Sequence, residues 1–498
     1  MKRSINYFGR ILCAFMLCTG LVLTSCEGEE PIGGENTEQN GNENNGSENN
    51  GNENEGGNET PEPEPLVTAS IQNITYKDVE VIGKLNVSAS DLPFCQVVVY
   101  YSNEETFNVN TAKSISTTSF DNDNKFTVTL ADLDYNTKYN YSVYAKVKSD
   151  EIYTELDNFT TSQHPYLILP HDVNVSSAVD LSESGTANSY IVSNAGTYKF
   201  KSVKGNSNIS VGNVASTDIL WETFGTDIAP YACDIIKDVC HNNEYIAFET
   251  ADIFREGNAV ISAKDSEGNI LWSWHIWMTD RPEEHCYYND AGTMMDRNLG
   301  ATSATPGDVG ALGLLYQWGK KDPFLGMVEE YIEVKSTITW PNGHIGPFVD
   351  VDTQTIADIS VANPMLPIST NQYGGIWSHD EPWQTEKTIY DPCPHGWHVP
   401  DIEVWEKALE TSSELNAIPF DTVNNGVNFG GVLGDSPTIW YPLNFGRGNF
   451  EGYYLSTTDH DYYRGRSCLY LYPSSPAEVE VGEALGYGYK ATIRCIKE

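Results

Sequence analysis

The sequence predicts a multidomain, mostly β protein: a β sandwich, a second β-rich sandwich-like region, and an α+β C-terminal half. Three observations carry this. From Val67 to Thr161, short alternating segments such as VEVIGKLNV, CQVVVYYS, KFTVTLADL and KYNYSVYAKV recur between Asn, Asp and Ser clusters, the spacing of a sandwich of about a hundred residues. From 165 to 280 the segments SYIVSNAGTYKFKSV, NAVISAKD and ILWSWHIWMTD still read as strands. After Asp280 long Gly- and aromatic-rich loops take over, and one clear helix follows Val399-Pro400.

The elements follow in order. Lys2, Arg3 and Arg10 precede an uncharged apolar run, Ile11 to Leu23, too short to span a bilayer. Residues 1–25 are therefore expected to be a signal peptide. The ending Leu23-Thr24-Ser25-Cys26 resembles the lipobox of bacterial lipoproteins, which implies lipidation at Cys26 and a membrane partner through that anchor. Glu27, Glu29 and Glu30 resemble the export signal of surface lipoproteins in Bacteroidota-type envelopes, which implies an outer-membrane, surface-exposed location. Residues 26–65 lack Lys, Arg and aromatic side chains and end in Pro61-Glu62-Pro63-Glu64-Pro65. They read as a self-repelling acidic tether. The net charge of −41 opposes binding to nucleic acid.

Residues 66–163 form the first expected domain. Leu133 to Val143 (LDYNTKYNYSV) resembles the tyrosine-corner segment of fibronectin type III domains, with Tyr139 as the corner residue. That implies a spacer or interaction module. Residues 165–280 form the second expected domain. In its last strand, Leu271, Ser273, His275 and Trp277 share one face while Trp272, Trp274 and Ile276 share the other. Apolar groups on both faces predict a central strand covered on both sides, with His275 a hydrogen-bonded core residue.

Residues 281–498 form the third. Asp401 is expected to cap a helix in which Trp405, Ala408 and Leu409 share a face, and Leu312 to Gly319 is a second helical candidate. MMDRNLGATS, LGLLYQWGKKDPF, YDPCPHGWHVPDIEVW, GYYLSTT and the terminal IRCIKE resemble the major paralogous domain of Fibrobacter-type proteins, a C-type-lectin-like module of surface lipoproteins. The resemblance implies a disulfide between Cys393 and Cys495. Cys233 with Cys240 and Cys286 with Cys468 are then the remaining expected pairs, although six cysteines allow fifteen connectivities, and Cys95 is expected to stay a buried thiol.

Function is expected to be binding or adhesion toward a glycan or protein ligand, with a structural subunit of a pilus tip or envelope assembly as the alternative. The loop aromatics Trp377, Trp383, Trp440 and Tyr441 either stack on such a ligand or pack their loops onto the core. No catalytic residue is assigned. WHVPDIEVWEKAL also resembles formylglycine-generating enzymes, but the closely spaced cysteine pair of that family is absent, as are Gly-x-Ser-x-Gly, His-Glu-x-x-His and phosphate-loop motifs. No cofactor is called for. Cys393, His395 and His398 lack a fourth partner for zinc, so no metal site is expected. Asp421-Thr422-Val423 fits a short O-glycosylation pattern.

Overall fold

The computed structural model describes residues 65–165, 172–329, 332–333, 349–350, 360–369, 383–410, 412–413, 417–443, 451–460, 465–474 and 476–498. Residues Glu64–Glu498 make one compact unit, and its described part is built from several sheets with little helix.

The first sandwich pairs a three-stranded sheet, in the order Val67–Gln72, Val79–Leu85 and Lys125–Leu130, with a second sheet. The second runs Lys113–Thr117, Cys95–Ser102, Lys138–Val147 and Asp150–Tyr153, with Asp157–Thr160 also on Lys138–Val147. Alternation in Cys95–Ser102 sends Cys95, Val97, Val99 and Tyr101 inward, where they meet Val79, Val81 and Leu130 of the facing sheet in one core. The Tyr139 hydroxyl accepts from the Asp134 backbone N–H at 3.0 Å and donates to Asp134 Oδ2 at 3.2 Å. Tyr139 thus ties its strand back to the turn just upstream.

The next region holds two four-stranded sheets. One runs Ser189–Val192, Ile270–Met278, Gly257–Lys264 and Ser216–Thr223; the other runs Ile236–Asn242, Tyr245–Thr250, Thr197–Lys201 and Val179–Asp180. Trp272, Trp274 and Ile276 face Phe200, Ile246 and Phe248 of the opposite sheet. The other face of Ile270–Met278 is covered from beyond Asp280. Ser273 Oγ donates to Asp322 Oδ1 at 2.6 Å, and Trp277 Nε1 donates to the Ala301 carbonyl at 2.9 Å. Trp221, Val260 and Trp277 join Met295, Leu299, Tyr316 and Ile493 in a single core. Side chains from both sides of the expected boundary between 280 and 281 thus share this core.

His275 is fully buried, with Nδ1 3.0 Å from Ser189 Oγ and Nε2 2.9 Å from Asn258 Oδ1. Burial holds its pKa down to about 3. The unfolded imidazole titrates near 6.5, so its contribution is complete above that value and is lost as pH falls from 6.5 toward 3. Stability is expected to drop by roughly 3 kcal/mol from this group by pH 4. Urea melts of the wild type and His275→Gln across that range check it; parallel pH profiles would contradict it.

The C-terminal part carries a five-stranded sheet in the order Leu315–Gln317, Lys490–Thr492, Gly452–Asp459, Gly465–Tyr472 and Glu478–Gly486. A smaller sheet joins Glu284–Tyr287, Gly292–Met295, Ile496–Lys497 and Trp397–His398. The helix Glu403–Leu409 buries Val404, Trp405, Ala408 and Leu409. Its N-cap is Ile402 and not Asp401; the Asp401 carboxylate instead accepts from the hydroxyls of Thr457 and Thr385. The expected helix at 312–319 is replaced by a short turn, Val309–Ala311, and the strand Leu315–Gln317. Gly313 and Gly319 take φ of 72° and 82°, which a right-handed helix does not admit.

The five segments that carry the resemblance meet in this body. Arg494, from IRCIKE, is buried; its Nη2 donates to Asn298 Oδ1 of MMDRNLG at 3.0 Å and to the Trp440 carbonyl at 2.6 Å. Its guanidinium lies 3.8 Å from the Tyr441 ring. The Tyr441 hydroxyl accepts from Trp405 Nε1 at 3.0 Å and shares a hydrogen bond with the Tyr287 hydroxyl at 2.6 Å.

Candidate functional site

The residues singled out in the sequence are mostly part of the scaffold. In DPCPHGWHVP, Cys393 is bonded to Cys495. Asp391, buried, accepts from the backbone N–H of Cys393 at 2.8 Å and of Val399 at 3.0 Å. Lys387 Nζ donates to the carbonyls of Cys393, Pro394 and Trp397. Burial pulls the Lys387 ammonium below its usual range, and Asp391 and Glu498 oppose that; burial likewise raises the Asp391 carboxyl, against the Lys387 charge. The His398 ring Nδ1 sits 2.8 Å from the Val399 carbonyl. No group of three or more His, Cys, Asp or Glu side chains among the described residues converges in a metal-binding arrangement.

The other two expected disulfides are not formed. Cys233 and Cys240 are not bonded to each other: Cys233 sits at a turn with φ of 71° and its thiol points to the Lys237 carbonyl, while the Cys240 thiol points to the Val173 carbonyl. Nor are Cys286 and Cys468 bonded to each other. Cys286 is exposed on Glu284–Tyr287, and Cys468 is sealed in the core on a different sheet. Burial pushes the Cys233 thiol up to about 11 and raises the Cys240 and Cys468 thiols, which removes thiolate character at neutral pH. Cys26 and Trp377 lie outside the described residues.

Three of the four aromatic candidates belong to the core. Trp383 and Tyr441 are 0 % exposed and Trp440 is 2 % exposed. Trp383 Nε1 donates to the Tyr390 carbonyl at 2.9 Å, which straps its loop down. No ring face is left for a ligand, so these side chains are loop anchors. Thr422 is exposed in a turn where Asp421 Oδ1 accepts from the backbone of Val423 and Asn424, both at 3.0 Å.

On a different face Tyr470 is half-buried and Tyr472 exposed, beside the buried Tyr453. On Gly452–Asp459, Gly465–Tyr472 and Glu478–Gly486, register places Tyr453 opposite Tyr470, Tyr470 opposite Glu480, and Tyr472 opposite Glu478. Together with Glu451 and Glu483 these residues line a groove of about 520 Å³. Ring centroids of Tyr453 and Tyr470 are 4.9 Å apart and those of Tyr470 and Tyr472 6.4 Å apart, so the phenols form a continuous floor. Tyr472 is 40 % exposed.

The Tyr453 hydroxyl donates to Glu451 Oε2 at 2.9 Å. Burial, then the Glu451 carboxylate, push the Tyr470 phenol well above its ordinary range. The Tyr470 phenol therefore stays protonated at physiological pH. Four carboxylates surround the floor, and no basic side chain is among the lining residues. Such a site can accept hydrogen bonds from hydroxyl, ammonium or guanidinium groups while rings pack against the ligand.

The sequence carried a signal for this face. In LYLYPSSPAEVEV, Tyr470 and Tyr472, then Glu478 and Glu480, alternate with apolar residues on either side of a Pro-rich turn. A hairpin with that period puts both pairs on one face. A second groove, of about 840 Å³, lies on the first sandwich between Thr68, Lys84, Phe120 and Lys125; it gathers no comparable set of rings and charges.

No family model matches the chain, and no curated protein matches it. Among solved structures it is similar to a computer-redesigned β-sandwich protein, at 18 % identity over 19 % of this chain and 92 % of that one, with a TM-score of 0.16. It is also similar to the sensor domain of the anti-sigma factor RsgI4 in Pseudobacteroides cellulosolvens, at 16 % identity over 22 % of this chain and 96 % of that one, with a TM-score of 0.17. A third is a myokine structure, at 14 % identity over 19 % of this chain and 93 % of that one, with a TM-score of 0.16.

Proposed function

We propose that this chain is a lipid-anchored, outer-membrane surface lipoprotein whose compact unit is a binding or adhesion module for a glycan or protein ligand. In this reading residues 66–163 are a fibronectin type III-like spacer, and the C-terminal half is a C-type-lectin-like tip. The Tyr139 corner supports the first assignment. The Cys393–Cys495 bond and the packing of Arg494 on Asn298 support the second. The observation that carries the binding reading is the groove floored by Tyr453, Tyr470 and Tyr472 and rimmed by Glu451, Glu478, Glu480 and Glu483.

The test is an array of glycans and extracellular-matrix proteins probed with purified Glu64–Glu498. A discrete, saturable ligand is expected. A uniformly blank array from folded protein would overturn the reading for those ligand classes.

A further inference from the structure

Among the described residues, Glu478–Gly486 ends the order of the five-stranded sheet and pairs on one side only, with Gly465–Tyr472. Its three glutamates are not evenly spaced in sequence, yet they fall on one face. Glu478, Glu480 and Glu483 stand opposite Tyr472, Tyr470 and Cys468, every second residue of the neighbouring strand. The odd step is absorbed at Gly482, which takes φ of 91° where the register shifts. A Cβ at that position would be strained by the backbone conformation, so the glycine is what keeps Glu483 beside the other two.

Among the described residues, the strand thus presents an unpaired backbone edge next to a row of carboxylates, over tyrosine rings. Among the described residues, no hydrogen bond or ion pair engages the carboxylates of Glu478, Glu480 or Glu483. Like charges in a row repel a second copy of the same edge, as edge strands commonly do. They attract a strand of opposite charge. This protein already pairs cations with ring faces, with Arg466 3.9 Å from Trp318 and Arg494 3.8 Å from Tyr441.

We propose that the ligand of this groove is an extended, basic segment of a partner protein, added to Glu478–Gly486 as a further strand. Lysine or arginine at alternate positions reaches over the edge to Glu478, Glu480 and Glu483 and lies on Tyr470 and Tyr472. Alternation on the incoming strand matches the two-residue repeat of the carboxylates, and main-chain hydrogen bonds supply affinity without sequence demands. The assignment rests on the reading of this unit as a binding module, and names its ligand class.

The experiment is fluorescence anisotropy with Glu64–Glu498 and labelled peptides alternating Lys with Thr, Glu with Thr, or Ser with Thr. Chitosan oligomers serve as an amino-sugar probe of equal charge. The Lys peptide is expected to bind, and to weaken about tenfold in Glu478→Gln/Glu480→Gln and again between about 50 and 500 mM salt. Alternate N-methylation of the peptide backbone is expected to abolish binding by blocking strand addition. Equal binding by the N-methylated peptide, tighter binding by chitosan, or indifference to the double substitution each overturns the proposal. A neutral glycan captured on the array and lost in Tyr472→Ala would overturn the peptide assignment while leaving the binding-module reading in place.

Discussion

Opening the Cys393–Cys495 bond is expected to cost roughly 4–5 kcal/mol, the loop-closure entropy released when a crosslink spanning 102 residues is cut. Cys393 and Cys495 are both 0 % exposed and sit in the core that also holds Trp277, Tyr316 and Ile493. Two small polar side chains would replace the bond in an apolar setting, which adds to the cost. Asp391 and Lys387 still hold the surrounding turn through five backbone groups. The Cys393→Ser/Cys495→Ser protein should therefore fold with the same strands but a lower urea midpoint. Equilibrium urea melts, followed by tryptophan fluorescence, measure it directly. A midpoint unchanged within error would contradict the assigned role of the bond.

Trp277→Ala is expected to cost about 4 kcal/mol, in the range for emptying a buried aromatic site. The indole is fully buried, and its N–H donates to the Ala301 carbonyl across the expected boundary at 280. The loss should therefore register on both sides of that position. Differential calorimetry of the wild type should show the sheet Gly257–Met278 and the C-terminal part melting in one transition, displaced as a whole by the substitution. Two transitions, of which Trp277→Ala shifts only one, would mean that the regions are separate cooperative units.

The first sandwich was legible because its strands are half-buried: alternation in CQVVVYYS and KFTVTLADL reports directly which side faces the core. The central strand ILWSWHIWM was legible for the opposite reason, since apolar side chains on both faces leave no solvent side. What covers its second face was not legible. Ser273, His275 and Trp277 meet Asp322, Ala301 and a hydrogen-bond chain through Ser189 to the Pro392 carbonyl, contacts between residues far apart in sequence.

The same limit applies to the aromatic loops. Trp383 and Trp440 stand in Gly- and Pro-rich sequence that fits an exposed loop as well as a strapped one. Their burial depends on distant partners. Cys393–Cys495 came from the resemblance alone, and eliminating pairs among the other cysteines misplaced four thiols because chain position does not say which sheet a strand joins. The groove needed three strands in register and a one-residue irregularity at Gly482. Its alternating tyrosines and glutamates were visible; their meeting was not.

The central claim is that the tyrosine floor, and not the buried tryptophans, is where this protein meets its ligand. Surface plasmon resonance with immobilised array ligand, comparing wild-type Glu64–Glu498 with Tyr472→Ala at equal folded fraction by circular dichroism, tests it most directly. Tyr472 is half out of the protein, so the substitution should leave the fold intact and weaken binding about tenfold, the scale of losing one ring contact. Unchanged affinity in Tyr472→Ala would contradict the claim.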